Sequence, residues 1–158
     1  MKKDFFDYLF TKMQENKDIY TIFIDLGFPR VDEFIKAYPD RAINTGASEQ
    51  TALDIAVGLA LENKIPFVYT ITPFLFRGFE TIRTYINYEN LNVKMVGAGR
   101  DDEYSKDHGF SHFAGDVPNI LATLTNINKY YPEDTSQLKQ MVDEMIINSK
   151  PSFLSLKR

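Results

Sequence analysis

The chain has 158 residues, of which 44% are hydrophobic and 25% are charged, and its formal net charge is -4. This size and balance are typical of one soluble globular domain, and the scattered Lys and Arg residues form no basic patch for nucleic acid or an anionic membrane. With no cysteine, the sequence excludes a disulfide framework, a thiolate metal site and a cysteine nucleophile. We therefore expect a single domain over residues 1–158, located in the cytoplasm.

Helices and short apolar strands alternate along the first half of the chain. Apolar residues recur at helical spacing within residues 3–15, namely Phe5, Phe6, Leu9 and Met13. The β-branched and aromatic run at 19–27 predicts a buried strand that ends at a Gly/Pro-containing turn. The elements expected after it are a short helix at 31–37, a short strand at 41–44, a helix at 48–61 with Ser48 as its cap, and a strand at 66–71.

The second half continues the same alternation. It predicts an amphipathic helix at 74–88, a strand at 92–99, a long polar loop, a helical turn near 117–122, a strand near 124–130, a helix at 134–148 and a strand at 152–156. No stretch approaches the roughly 18–20 continuous apolar residues of a membrane-spanning helix. Strands that are apolar on both faces and alternate with helices indicate a mostly parallel sheet covered on each side. The expected fold class is α/β, a three-layer sandwich.

Ligands of such sheets bind at the carboxyl ends of the strands, and the loops expected there hold the candidate site residues. They are Glu49 at a helix start, the aromatic cluster Phe74, Phe76 and Phe79 with Arg77, and the histidines His108 and His112. Each has a structural interpretation. A carboxylate in the first turn stabilises a helix through the macrodipole, phenylalanines usually belong to the core, and two histidines with Asp107 make an incomplete metal site. Composition alone does not decide between these interpretations.

The order and spacing of several motifs are more specific than any single residue. The chain contains R-x-x-N-x-G-x-x-E-Q at 41–50, F-L-x-R at 74–77, N-V-K-x-V at 92–96, HGFSH at 108–112 and KPSFLSLKR at its end. In this order they resemble the central, pyrimidine-binding domain of transketolase and deoxyxylulose-phosphate synthase. The resemblance covers nearly the whole chain from residue 25 onward.

The resemblance implies thiamine diphosphate as the cofactor and assigns a role to each candidate. Glu49 would hydrogen-bond N1′ of the aminopyrimidine and so activate the cofactor, and Phe74 would stack on that ring, with Phe76 and Arg77 as further contacts. His112 would be the second catalytic residue, facing the substrate. Arg77 matches the synthase branch, where it would either approach a substrate phosphate or brace the loop.

Departures from the family pattern concern the substrate. Transketolases carry an aspartate before the glycine of this loop to read a substrate hydroxyl, whereas this chain has His108, preceded by Asp107. We expect both residues to face the substrate. Ser111 and Phe113 replace the family's threonine and glutamine, so a more apolar pocket wall and an unusual donor are expected.

The family binds the cofactor diphosphate and Mg²⁺ through a separate domain with a G-D-G motif, which this sequence lacks, and the sequence stops at Arg158 without a further C-terminal domain. The resemblance therefore implies the pyrimidine-binding subunit of a split enzyme that transfers a two-carbon ketol unit. Its partner would be a G-D-G-containing subunit, in a heterotetramer, and the isolated chain would form a homodimer. Two alternatives stay open: the small subunit of a 2-oxo acid decarboxylase of the sulfopyruvate type, and a non-catalytic regulatory domain.

Overall fold

The computed structural model describes residues 1–24, 29–100, 103–104 and 109–157. Within these residues the strands are β1 (Ile19–Phe23), β2 (Ala42–Asn44), β3 (Ile65–Ile71), β4 (Lys94–Ala98), β5 (Asn128–Tyr130) and β6 (Ser152–Leu156). They form one six-stranded sheet of order β2-β1-β3-β4-β6-β5. Every pair of neighbouring strands runs parallel, which confirms and extends the expectation of a mostly parallel sheet.

The helices connect the strands, because parallel strands need a crossover connection between them. They are α1 (Lys2–Glu15), α2 (Pro29–Ala37), α3 (Glu49–Leu61), α4 (Thr72–Leu75), α5 (Phe79–Thr81), α6 (Val117–Ala122) and α7 (Thr135–Ile147). A 3₁₀ turn (Phe76–Gly78) joins α4 to α5, and a π-helical segment (Ile82–Tyr88) follows α5.

Two apolar clusters, one on each face of the sheet, make the fold a three-layer α/β sandwich. Helices α1, α2 and α7 pack on one face, where the α1 side chains predicted from spacing are all buried. Helices α3 and α6 and the helical segments between β3 and β4 pack on the other face. Within β3, Phe67 and Tyr69 contribute to the first cluster and Val68 to the second. This alternation explains why the strands read as continuous apolar runs.

The structure departs from the sequence-based elements in a few places. The segment expected as one amphipathic helix at 74–88 is instead divided into α, 3₁₀, α and π turns, because Gly78 lies in close contact with α3 in the middle of it. Ser48 precedes α3, but its hydroxyl bonds to the Thr51 hydroxyl at 2.7 Å rather than to a free helix N–H. The strand expected at 19–27 ends at Phe23, and residues 25–28 lie outside the described part.

Strand order places a ligand site at one point on the sheet. The chain passes from β1 outward to β2 and then returns to the other side of β1 to form β3. In open α/β sheets, the crevice beyond the carboxyl ends of two such strands is the usual ligand site. Among the described helices, none is both long enough and apolar enough to cross a bilayer.

Candidate functional site

A cleft of about 270 Å³ opens at the carboxyl ends of β1 and β3, where the strand order reverses. Its lining includes Ile24 after β1, Ile71 at the end of β3, and Glu49, Phe74, Arg77 and His112. The sequence placed these last four residues in three separate loops. The fold therefore brings four of the predicted site residues together in one cleft.

Glu49 supplies the acidic group of this cleft. It is the first residue of α3, where the positive end of the helix dipole favours a carboxylate, and only 6% of its surface is exposed. Arg77 Nη1 donates a hydrogen bond to Glu49 Oε1 at 2.5 Å. The side chain of Arg77 is 53% exposed, so a buried acid is paired with a largely exposed base.

Close packing of the 3₁₀ turn against α3 sets the position of Arg77. A Cβ atom on the buried Gly78 would lie 2.5 Å from Leu53 Cδ1 and 3.2 Å from Gln50 Oε1, so a larger residue would require these side chains to shift. Gln50 Nε2 also donates to Thr81 Oγ1 at 2.6 Å and to Asp54 Oδ1 at 2.9 Å. These contacts hold the 3₁₀ turn and α5 against α3, beside Glu49 in the sequence.

Aromatic rings complete the cleft. The guanidinium carbon of Arg77 lies 4.3 Å from the centroid of the Phe74 ring, a cation–π contact. The His112 ring meets Phe74 edge-on, with 5.0 Å between centroids, and Ser111 Oγ lies 3.0 Å from His112 Nδ1. A buried carboxylate beside an aromatic face can bind a flat, nitrogen-containing ring, and the imidazole can exchange hydrogen bonds with a second molecule next to it.

Phe76 borders a second cleft on the other side of Arg77. This cleft has a volume of about 280 Å³ and is shared by Phe74, Arg77, Phe110, Ser111, Phe113 and Asp116. Phe110 is 79% exposed there. Phe76 itself packs against the core and against Phe79, at 6.3 Å between ring centroids, and does not line the cleft of Glu49.

Asp107 and His108, the other two predicted site residues, lie outside the described residues. The metal-site interpretation of His108, His112 and Asp107 is therefore not tested by the described residues. Within the described ranges no group of three His, Cys, Asp or Glu side chains is close enough to hold a metal ion.

The structure also adds site residues that the sequence interpretation missed. Tyr104 lies 5.8 Å from the His112 ring, and Gly78 and Gln50 position Arg77. Ser111, which the sequence analysis named only as a replacement for threonine, contacts the imidazole nitrogen. The pairing of Arg77 with Glu49 joins residues 28 positions apart and left no signal in either motif.

Comparison with known proteins decides the family. Residues 9–158 match the family model "Transketolase, pyrimidine binding domain". The chain belongs to this family. The resemblance expected from the motifs is thereby confirmed, and the match covers β1 through β6.

Relatives of this pyrimidine-binding domain include subunits of multi-chain transketolases. The chain is 30% identical over 128 residues to a subunit of the apulose-4-phosphate transketolase of Actinobacillus succinogenes, a match that covers 80% of the chain and 41% of that subunit. It is 28% identical over 161 residues to the 6-deoxy-6-sulfo-D-fructose transketolase subunit SqwH of Clostridium sp., a match that covers 100% of the chain and 49% of that subunit. The chain thus spans about half the length of the curated relatives it matches.

A solved structure agrees with this assignment. A split-gene transketolase, described as an inactive β4 tetramer, superposes with a TM-score of 0.85 at 30% identity, and the match covers 99% of the chain and 51% of that protein. The α/β fold of the pyrimidine-binding domain is therefore confirmed.

Proposed function

We propose that residues 1–158 are one pyrimidine-binding domain, acting as a subunit of a split, thiamine-diphosphate-dependent transketolase. The enzyme would move a two-carbon ketol unit between sugar-type substrates. The observation that carries this proposal is the buried Glu49 carboxylate at the switch point of the sheet, 6% exposed and next to the Phe74 ring. The subunit names of the relatives support the same reaction class.

We assign the ring end of the cofactor to this cleft. Its volume of about 270 Å³ lies just below the range of roughly 300–1,000 Å³ for small-molecule sites. Phe74 offers a face for the aminopyrimidine, and Glu49 would hold a proton at N1′. Thiamine diphosphate, when bound, supplies the carbanion chemistry that breaks and forms carbon–carbon bonds.

His112 would serve the substrate rather than the cofactor. Its ring is partly buried, touches Phe74 and has Ser111 Oγ on Nδ1, so Nε2 can exchange a hydrogen bond with a substrate hydroxyl or carbonyl. We assign Asp107 and His108 to substrate recognition on the same loop. Phe113, from which a more apolar pocket wall is expected, lines the second cleft together with Phe110 and the carboxylate of Asp116.

A partner chain would complete the site. The sequence has no G-D-G motif, so the diphosphate and Mg²⁺ would be held by a second subunit, in a heterotetramer. We also propose that copies of this chain associate with one another when that partner is absent. The relative described as an inactive β4 tetramer supports self-association without activity.

A reconstituted enzyme tests this function and separates it from the alternatives. The chain should be mixed with a G-D-G-containing chain from the same organism, thiamine diphosphate and Mg²⁺, and assayed with ketose donors and an aldehyde acceptor. We expect transfer that needs the acceptor and both chains. Release of carbon dioxide from a 2-oxo acid without an acceptor would instead establish a decarboxylase, and activity of the partner without this chain would establish a regulatory domain.

A further inference from the structure

We infer that Arg77 occupies the pyrimidine site of the cofactor-free chain and must swing out before the ring can bind. The inference rests on the proposed function, because it takes Glu49 and Phe74 as the ring's two contacts. In this structure the Arg77 side chain already contacts both of them. Arg77 Nη1 donates to Glu49 Oε1 at 2.5 Å, while the guanidinium carbon lies 4.3 Å from the Phe74 centroid.

The guanidinium group reproduces the two properties that the site would use to hold an aminopyrimidine. It is planar and delocalised, so it packs against an aromatic face, and its N–H groups donate to a carboxylate. A bound ring would take Phe74 and Glu49 as its two contacts, and in this structure both contact the guanidinium. The two groups therefore compete, and the ring and the Arg77 side chain cannot both hold these contacts.

The fold holds the backbone of Arg77 in place but leaves its side chain free to move. Gly78 allows the turn to lie against Leu53 and Gln50, which brings the guanidinium within reach of the first residue of α3. The side chain is 53% exposed and borders the second cleft as well as the first. When the ring binds, the side chain would rotate away from Glu49 into solvent or into the second cleft.

Pairing with Arg77 explains how a buried carboxylate is tolerated before the cofactor arrives. A buried charge without a partner is strongly destabilising, and among the described residues only Arg77 donates a hydrogen bond to the Glu49 side chain. Opening the pair leaves the buried Glu49 charge without its partner, so the closed state is favoured until the ring takes the place of the guanidinium. The apparent affinity for the ring falls by the fraction of chains in which the pair is open.

Binding of thiamine itself, the alcohol without phosphates, tests this inference on the full chain alone. Thiamine would touch this chain through its ring, so millimolar titration followed by NMR measures the relevant site without the partner. If the open state is populated to roughly 1–10%, we expect Arg77→Ala to bind thiamine about ten- to hundredfold more tightly than the wild type. Arg83→Ala, which removes an exposed arginine paired with Glu80, is the matched control and should bind like the wild type.

A second measurement covers the case in which Arg77→Ala does not fold. In the wild-type chain saturated with thiamine, the Nη1–H signal of Arg77, which reports its bond to Glu49, should lose its protection and take on solvent-like exchange. Unchanged protection at saturation would overturn the inference.

Two further outcomes separate this inference from the proposed function. In the first, Phe74→Ala and Glu49→Ala bind thiamine more weakly than the wild type, but Arg77→Ala does not bind it more tightly. Arg77 then does not compete with the ring, and only the inference fails. If no chain shows thiamine binding that depends on Phe74 or Glu49, both fail.

Discussion

Charged side chains are at least partly buried at both ends of the parallel strands, called here the amino edge and the carboxyl edge of the sheet, and the partners of Lys94 and Arg41 differ from the partner of Glu49. At the amino edge, Lys94 begins β4 and is fully buried, and its Nζ donates to Asn148 O, Asn148 Oδ1 and Lys150 O at 2.7–3.2 Å. Arg41, just before β2, donates to the backbone oxygens of Met13, Asn16 and Ile19. Both cations are held mainly by main-chain oxygens that cannot move away.

At the carboxyl edge, Glu49 is also buried, yet its partner is the side chain of Arg77, which is about half exposed. An open cleft lies beside this pair. The comparison teaches that burial of a charge does not by itself mark a functional site. A charge whose partners are backbone groups supports the fold, whereas a charge held by one movable side chain beside a cleft is available to a ligand.

Neutralisation of Glu49 tests this distinction with the largest expected effect. In the complex with its partner, we expect Glu49→Gln to lower turnover by about 10²–10⁴-fold, because proton transfer at the ring is lost. Steady-state kinetics would measure this, with Glu80→Gln, in an exposed ion pair, as the control. Near-normal turnover of Glu49→Gln would refute its catalytic role.

Removal of the imidazole of His112 should have the next largest effect. We expect His112→Ala to lower turnover of the complex by one to two powers of ten, as loss of a hydrogen bond of about 1–3 kcal/mol implies. The turnover of Ser111→Ala, which removes only the hydroxyl next to Nδ1, should lie between that of His112→Ala and that of the wild type. Equal turnover of the wild type and His112→Ala would remove His112 from the catalytic set.

Truncation of Phe74, the proposed stacking ring, should affect binding rather than the chemical step. We expect Phe74→Ala to weaken thiamine diphosphate binding to the complex by about 1–3 kcal/mol, through lost stacking and burial. Phe76→Ala is the control, because that ring borders the second cleft and not the one with Glu49. A titration that responds to Phe76→Ala and not to Phe74→Ala would move the stacking role to Phe76.

At the amino edge the expected effect is on stability alone. Lys94→Met removes the lysine donor from three oxygens, of which Asn148 Oδ1 and Lys150 O keep a second donor. We expect the free energy of unfolding to fall by about 1–3 kcal/mol, with cofactor affinity of the complex unchanged. Chemical denaturation of each chain measures the first quantity and calorimetry the second. A loss of cofactor affinity equal to that of Phe74→Ala would contradict the division between the two edges.

The same lysine also gives a pH-dependent signature. Burial lowers the pKa of Lys94 from 10.5 to about 7 in the folded chain. Between these pH values the unfolded chain binds more protons, so the contribution of Lys94 to the free energy of unfolding rises as the pH increases from about 7 to 10.5. We therefore expect the unfolding free energy of Lys94→Met to increase less over this interval than that of the wild type. Parallel curves would contradict the expectation.

Much of this fold could be predicted because its causes are local. The spacing of Phe5 and Leu9 predicted the buried face of α1, and the apolar runs predicted the strands within a few residues. The broken helical segment after β3 could not be predicted, because it depends on contact between Gly78 and α3.

The candidate site was predictable to the extent that its residues stand in ordered motifs. Glu49, Phe74 and His112 could be named from those motifs, and the parallel sheet explains why they meet. Arg41 and Lys94 belong to the same motifs but lie at the opposite edge, so a motif does not reveal which of its residues face the ligand. The pairing of Arg77 with Glu49 depends on tertiary contact alone.

Cofactor binding by the separated and combined chains tests the central claim most directly. Calorimetry with thiamine diphosphate and Mg²⁺ should show negligible binding to this chain alone, because it offers only the ring end, and tight binding once the G-D-G-containing partner is added. The Glu49→Gln and Phe74→Ala chains should weaken the second titration relative to the wild type. Micromolar binding together with ketol transfer by this chain alone would contradict the account.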